Sequence, residues 1–230
     1  MTTLLITRPD AQGRDFLGAL EAAAGRSLHA VLSPLMEIVP QDWRPDRRYG
    51  TGVITSANAL PALARLPGLP VLAVGPRTAG LARQAGHPST EGGGDVEALL
   101  GTIARLRPPG PLLHLRGEVS RGDLAGRLRA QGIETDEAIV YRQEARPLTD
   151  SAQKLLSGSA PVLAPVFSPG TAQLLAQAGP FAAPLDLVAI SAAAAEALGP
   201  LAASGVTIAA RPDGEAMIEA CLGRLRANCP

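Results

Sequence analysis

Short polar motifs recur at the ends of apolar runs along this chain of 230 residues, and their types suit the capture of anions. Thr7-Arg8-Pro9 follows Leu4-Leu5-Ile6, and Thr55-Ser56-Ala57-Asn58 follows Gly52-Val53-Ile54. Gly75-Pro76-Arg77-Thr78, Arg116-Gly117, Ser168-Pro169-Gly170-Thr171 and Ser191 stand in the same relation to later runs. Small and hydroxyl residues at such places open helices, whose first amides lack intrahelical partners. Taken singly, each is a helix cap. Taken as a row, helix N-termini present free N–H groups and positive partial charge, which favours carboxylates or phosphates. The candidate binding residues are therefore Thr7, Arg8, Thr55, Ser56, Asn58, Gly75, Arg77, Thr78, Arg116, Gly117, Ser168, Pro169, Gly170 and Ser191.

Other chemistries find no support in the spacing. No glycine-rich loop ends in Lys-Ser or Lys-Thr, and Gly92-Gly93-Gly94 lacks the wider dinucleotide pattern. No serine sits in a nucleophile elbow with an evident histidine partner. His29, His87 and His114 are scattered, so no metal-ligand set is expected, and no cofactor. Residue types and spacing end at an anion-attracting α/β protein of no definite enzyme class.

The elements that must position these residues are strands and helices in alternation. Apolar runs predict strands at 3–7, 28–33, 52–55, 70–74, 112–116, 135–141, 164–167, 187–190 and 206–209. Helical periodicity predicts helices at 11–24, 58–65, 77–85, 95–106, 121–131, 149–157, 171–178, 192–203 and 214–226. Such alternation means parallel sheets covered by helices on both faces. In open sheets of this kind ligands bind beyond the carboxyl ends of the strands, where the polar motifs stand.

The chain also repeats itself. Leu4-Leu5-Ile6-Thr7-Arg8 returns as Leu112-Leu113-His114-Leu115-Arg116, and Ile54-Thr55-Ser56-Ala57 as Val166-Phe167-Ser168-Pro169. Val74-Gly75 answers to Ile190-Ser191, and Ala104-Arg105-Leu106-Arg107 to Gly223-Arg224-Leu225-Arg226. The offset grows slowly and never reverses, as in one tandem duplication with small later insertions. Two similar domains with a ligand cleft between them are expected. Each repeat splits into a short strand–helix–strand piece and a longer piece of three strand–helix units, in the order short, long, short, long. Two sequential domains fit this order. So does a continuous middle domain beside another built from both chain ends, with extended crossings near Met36–Gln41 and Ala138–Ala145.

Composition narrows the function classes. With 46% apolar and 18% charged residues, each half can bury a core. A net charge of zero and only six aromatic side chains argue against a nucleic-acid surface. Val188–Ala210 carries a single charge, but Gly199-Pro200 and Gly205 cut it into strand, helix and strand, so no membrane span is expected. The start lacks a signal-peptide pattern, and Cys221 and Cys229 make no disulfide framework, so a cytoplasmic protein is expected.

Read together, several segments resemble the uroporphyrinogen-III synthase family. They are Leu5-Ile6-Thr7-Arg8-Pro9, Ser33-Pro34-Leu35, Ile54-Thr55-Ser56-Ala57-Asn58-Ala59 and Ala73-Val74-Gly75-Pro76-Arg77-Thr78-Ala79. Gly94-Asp95-Val96-Glu97-Ala98-Leu99, Val140-Tyr141-Arg142 and Phe167-Ser168-Pro169-Gly170-Thr171-Ala172 continue the series in family order. The resemblance implies two flavodoxin-like, doubly wound parallel-sheet domains joined by a two-stranded linker. One domain would combine 1–35 with 146–230, the other would be 42–137, and 36–41 and 138–145 would cross between them.

The resemblance further implies a lyase that closes hydroxymethylbilane, a linear tetrapyrrole, with inversion of its last ring and loss of water. No cofactor or metal takes part. The substrate's eight carboxylates suit the helix termini together with Arg8, Arg77, Arg116 and Arg142. Tyr141 matches the family's tyrosine at the end of the second crossing and is the candidate catalytic residue, donating a hydrogen bond to the departing oxygen. Tyr49, outside any motif, is read as structural. The implied setting is a cytoplasmic monomer, in transient contact with the upstream porphobilinogen deaminase, with no nucleic-acid or membrane partner. One motif departs from the family: the usual Ile-Gly-Pro-x-Thr-Ala turn reads Ile190-Ser191-Ala192-Ala193-Ala194-Ala195 here, with Ser191 restoring one hydroxyl. The competing readings are a non-catalytic two-domain small-anion-binding protein and a regulator of the same fold.

Overall fold

The computed structural model describes residues 2–120, 122–199, 201 and 205–227. In chain order the first elements are β1 (Thr3–Ile6), α1 (Asp10–Ala24), β2 (Ala30–Leu32), β3 (Met36–Pro40) and β4 (Thr51–Ile54). A 3-10 helix (Ala57–Arg65) follows, then β5 (Val71–Ala73), α2 (Pro76–Gln84), β6 (Ser89–Glu91), α3 (Val96–Leu106) and β7 (Leu112–Gly117). Next come α4 (Leu124–Ala130), β8 (Thr135–Ala145), α5 (Asp150–Leu156), β9 (Val162–Val166) and α6 (Pro169–Ala178). The remaining elements are β10 (Leu185–Ala189), α7 (Ala192–Glu196), β11 (Gly205–Ile208) and α8 (Gly214–Ala227).

The chain divides into two compact units, Met1–Glu37 with Glu144–Pro230, and Ile38–Gln143. The discontinuous unit holds a parallel sheet in the order β11-β10-β9-β1-β2. Numbered along its own chain this is 2-1-3-4-5, the flavodoxin-like order, with the topological switch point between β1 and β9. The continuous unit has the order β3-β8-β7-β4-β5-β6. Its parallel pairs β5–β6, β4–β5, β4–β7 and β7–β8 repeat the first sheet strand for strand, once β7 and β8 are set against β1 and β2. The duplicated pieces thus occupy equivalent places, and the second sheet is a cyclic permutation of the first. Its switch point lies between β4 and β7.

Central strands in such sheets are covered on both faces and read as unbroken apolar runs. All five residues of β9 and of β10 are buried, as are all four of β4. In the discontinuous unit Leu5, Leu163, Val166, Leu187 and Val188 divide between two cores on opposite faces of the sheet. In the continuous unit Ile54, Ala73, Leu113 and Leu115 face the 3-10 helix and α2, while Val53, Leu72 and Leu112 face α3 and α4.

Several predicted elements take a different form. The helix expected at 58–65 is a 3-10 helix because Pro61 has no N–H to donate and crowds an α-helical turn. The helix expected at 121–131 begins at Leu124, since Asp123 turns left-handed at φ 37° and accepts a hydrogen bond from Gly126 N. The helix expected at 192–203 is the five-residue α7, and Gly199 stands at φ 52° beyond its end. Pro200, residues 202–204, Arg121 and Cys229 lie outside the described residues. The strand expected at 135–141 runs on to Ala145 and β3 covers 36–40, the two stretches expected to be extended, while the short polar β6 is a strand not expected.

Close packing at one glycine yields a test of the continuous unit. A Cβ at Gly50, just before β4, would lie 2.4 Å from the Pro109 carbonyl oxygen and 2.6 Å from its carbon. Backbone atoms retreat poorly, so Gly50→Ala is expected to destabilise this unit by about 1–3 kcal/mol. Urea denaturation checks this, and an unchanged midpoint would contradict it.

Candidate active site

In the discontinuous unit the chain leaves β1 through Thr7 and Arg8, beside Phe167 and Ser168 leaving β9. Along β9, Val162 N donates to Pro184 O on the β10 side, while Thr3 N donates to Pro161 O on the β1 side. Alternation then turns Pro165 toward β1, where its missing N–H cannot extend the ladder beyond the Leu4–Leu163 pair. The β1–β9 ladder therefore ends two residues before the end of β1, while the flanking pairs continue to Ile6 and Val166. There the Arg8 guanidinium lies 3.9 Å from the centroid of the Phe167 ring, a cation–π arrangement. Phe167 is itself fixed edge-on against Phe16 at 4.8 Å, and Arg8 Nη2 donates to Gln12 Oε1 at 3.3 Å. Thr7 is 1% exposed, and its Oγ1 has no hydrogen-bond partner among the described residues.

The hydroxyls that follow the strands act as caps. Ser168 Oγ accepts from Thr171 N at 3.1 Å and lies 3.0 Å from Thr171 Oγ1. Pro169 occupies the first turn of α6, where its missing N–H costs nothing, and Gly170 is exposed beside it. Ser191 Oγ accepts from Ala194 N at 3.3 Å, so the turn that departs from the family pattern still has a capped helix. In the continuous unit Ser56 Oγ accepts from Asn58 N at 3.2 Å, and Thr55, Ser56 and Asn58 are all half-buried at the end of β4.

Gly75 opens α2 without a side-chain cap. Gly92 N and Gly94 N donate to Ala73 O and Val74 O at 2.7 Å each, which lays the triple-glycine loop along the same edge. Gly93 and Gly94 have φ of 101° and 104°, a conformation that favours glycine. Arg77 is exposed on α2, whereas Thr78 is 8% exposed on the packed side of that helix with Ala79 and Ala82.

Arg8 and Arg116, equivalent in the repeat, have different surroundings. Arg116 Nε donates to Glu137 Oε1 at 2.7 Å, and its Nη1 donates to Gly117 O at 2.9 Å and Glu118 O at 3.1 Å. Arg116 thus clamps the chain leaving β7. Glu137, the opposite number of His114 on β8, is the residue sequence reasoning missed, because its pairing depends on strand register. His114 is fully buried with Nδ1 3.5 Å from the Glu137 carboxylate. Burial pushes its pKa below 6.5, the Glu137 charge opposes that shift, and Arg116 reinforces it. Below pH 6.5 the unfolded chain therefore binds a proton at this histidine that the folded chain refuses, and stability falls as pH drops toward the lower folded-state value. Denaturant titrations at several pH values between neutral and mildly acidic are expected to show this slope, and His114→Leu is expected to flatten it. An equal slope in the variant would contradict the assignment.

Tyr141 lies beside the end of β7. The pairing steps from Arg116–Ile139 to Gly117–Tyr141, so β8 carries one extra residue at this point. This bulge breaks the alternation: Val140 and Tyr141 are neighbours, yet both are buried in the core facing the 3-10 helix and α2. Tyr141 is 8% exposed, with its ring over Gly117, and its carbonyl accepts from Glu118 N at 2.9 Å. Tyr49 instead donates to Asp46 and Asp136, within a surface network that includes Arg47 and Glu134, which is a structural arrangement. Arg142 is exposed one residue after Tyr141.

Among the described residues no group of three or more His, Cys, Asp or Glu side chains is placed to hold a metal ion. Among them, too, no helix is long and apolar enough to cross a membrane. Residues 19–219 match the model of the family described as uroporphyrinogen-III synthase HemD. Among solved structures, the chain is similar to uroporphyrinogen-III synthetase from Helicobacter pylori, with a TM-score of 0.68 at 18% identity, covering 97% of this chain and 100% of that one. It is also similar to a mutant uroporphyrinogen III synthase from Thermus thermophilus, with a TM-score of 0.51 at 14% identity, covering 99% and 100%.

Proposed function

Because the chain belongs to the uroporphyrinogen-III synthase family, we propose that it closes hydroxymethylbilane with inversion of the last ring and release of water, using Tyr141 as the donor to the departing oxygen. The observation that carries the reaction is the family match across residues 19–219. The role of Tyr141 follows from the resemblance at Val140-Tyr141-Arg142, and the surroundings of each residue in its unit support the other roles.

The reaction needs little acid strength. The pyrrole nitrogen pushes electrons toward the hydroxymethyl carbon as its C–O bond breaks, and the oxygen leaves as water once it has gained a proton. A neutral tyrosine, with a reference pKa of about 10, suits a hydrogen bond to that oxygen. Tyr141 is held in place by packing on a strand, so its hydroxyl is fixed before substrate arrives. Binding falls to the strand ends: Thr7, Arg8, Ser168, Pro169, Gly170 and Ser191 in one unit, and Thr55, Ser56, Asn58, Gly75 and Arg77 in the other, where Thr78 packs α2 and Arg116 and Gly117 shape the chain after β7. Arg8 is the principal cation for a carboxylate, since stacking on Phe167 holds its guanidinium plane at the strand end. Arg116, held by Glu137, acts by shaping the loop after β7.

The same reading places the enzyme in the cytoplasm as a monomer that receives its substrate from the upstream porphobilinogen deaminase in a transient contact. The substrate's spontaneous closure to the type I isomer supports this, because a short-lived intermediate favours short transfer. The mechanism calls on no cofactor or metal. Expression in a bacterial strain lacking its own uroporphyrinogen-III synthase tests the reading. Growth without added heme is expected, and absence of growth despite abundant folded protein would contradict it.

A further inference from the structure

We propose that Gly117 is a positioning residue for the reaction: the absence of a side chain there, together with the bulge in β8, sets where the Tyr141 hydroxyl lies. The inference rests on the role given to Tyr141 above. A Cβ at Gly117 would fall 2.6 Å from Tyr141 Cε2, 2.7 Å from Cζ and 3.0 Å from the hydroxyl oxygen. Gly117 is not among the glycines of positive φ, and the three atoms nearest the added Cβ all belong to the Tyr141 side chain. Retreat of the backbone is blocked, because Arg116 Nη1 holds the Gly117 carbonyl and Glu118 N holds the Tyr141 carbonyl. The register step between Arg116 and Gly117 turns the ring onto this spot, while Val140 fills the core position that plain alternation would assign. In the equivalent position of the other unit stands Pro9, after Arg8, so the repeat itself imposes no glycine here.

The chain has two tyrosines, so incorporation of 3-fluorotyrosine gives two fluorine resonances, and Tyr141→Phe identifies that of Tyr141. Gly117→Ala is expected to move the Tyr141 resonance and leave that of Tyr49 in place. It is also expected to lower kcat roughly tenfold or more, with a smaller change in KM. In the Tyr141→Phe background the same substitution is expected to cause no further loss of kcat. An unmoved resonance overturns the proposal, and so does an equal loss of kcat in both backgrounds. Wild-type turnover in Tyr141→Phe alone removes Tyr141 from the reaction, a failure of the underlying reading that the single variant reveals by itself. Should Gly117→Ala not fold, the pair Gly117→Ala with Tyr141→Leu is expected to restore folding by removing the collision. Failure to restore it overturns the proposal.

Discussion

Tyr141→Phe is expected to lower turnover of hydroxymethylbilane by roughly tenfold to a thousandfold, the usual cost of removing one positioned donor from a departing oxygen. Stability should change little. The ring, which packs against Gly117 and within the core facing the 3-10 helix, remains, and only the hydroxyl is lost. Turnover should not vanish, because the pyrrole nitrogen drives the departure and the protein's larger contribution is to hold the bilane so that the inverted ring closes. Spontaneous type I closure competes with the slowed enzyme, so the share of type III product should fall with kcat. Stopped-time assays at fixed enzyme, with both isomers quantified, check this. A variant with wild-type rate and isomer share would return Tyr141 to a purely structural role.

Arg8→Ala is expected to raise the KM for hydroxymethylbilane roughly tenfold to a hundredfold with a smaller effect on kcat. A charge-assisted hydrogen bond contributes about 1.5–3 kcal/mol, and Arg8 is not part of the departure step. The Phe167 face holds the guanidinium plane in place at the end of β1. Arg8→Lys keeps the charge but loses the planar stacking, so an intermediate KM is expected. Added salt should weaken binding by the wild type more than by Arg8→Ala, since one screened attraction is already missing from the variant. Arg116→Ala should behave differently. Its guanidinium ties Glu137 to the carbonyls of Gly117 and Glu118, so its removal is expected to change kcat, through the loop beside Tyr141. Equal KM effects in both variants would show that the repeat, and not these local surroundings, decides what the arginines do.

The reach of the sequence follows from how local each feature is. Buried parallel strands such as β9 and β10 are apolar throughout, and they stand out from the amphipathic helices on either side. Caps are equally local: Ser56, Ser168 and Ser191 each bond an amide two or three residues ahead, so their types and positions announced the helix starts. Polar β6 gave no signal, because a three-residue strand at the sheet edge has no need of an apolar run. The 3-10 form of 57–65 depended on weighing Pro61 more heavily than the apolar period around it. What lay beyond reach were contacts set by register between strands far apart in sequence. Arg8 and Arg116 look alike along the chain, yet one meets Phe167 across β9 and the other Glu137 across β8. The bulge at Val140 is likewise a property of the β7–β8 pair and of neither strand alone.

The isomer formed from freshly made hydroxymethylbilane bears most directly on the central claim. Incubation with the purified protein, oxidation of the products and separation of the isomers should yield predominantly type III, in an amount that rises with protein concentration. Type I alone, at the rate seen without protein, would contradict the account.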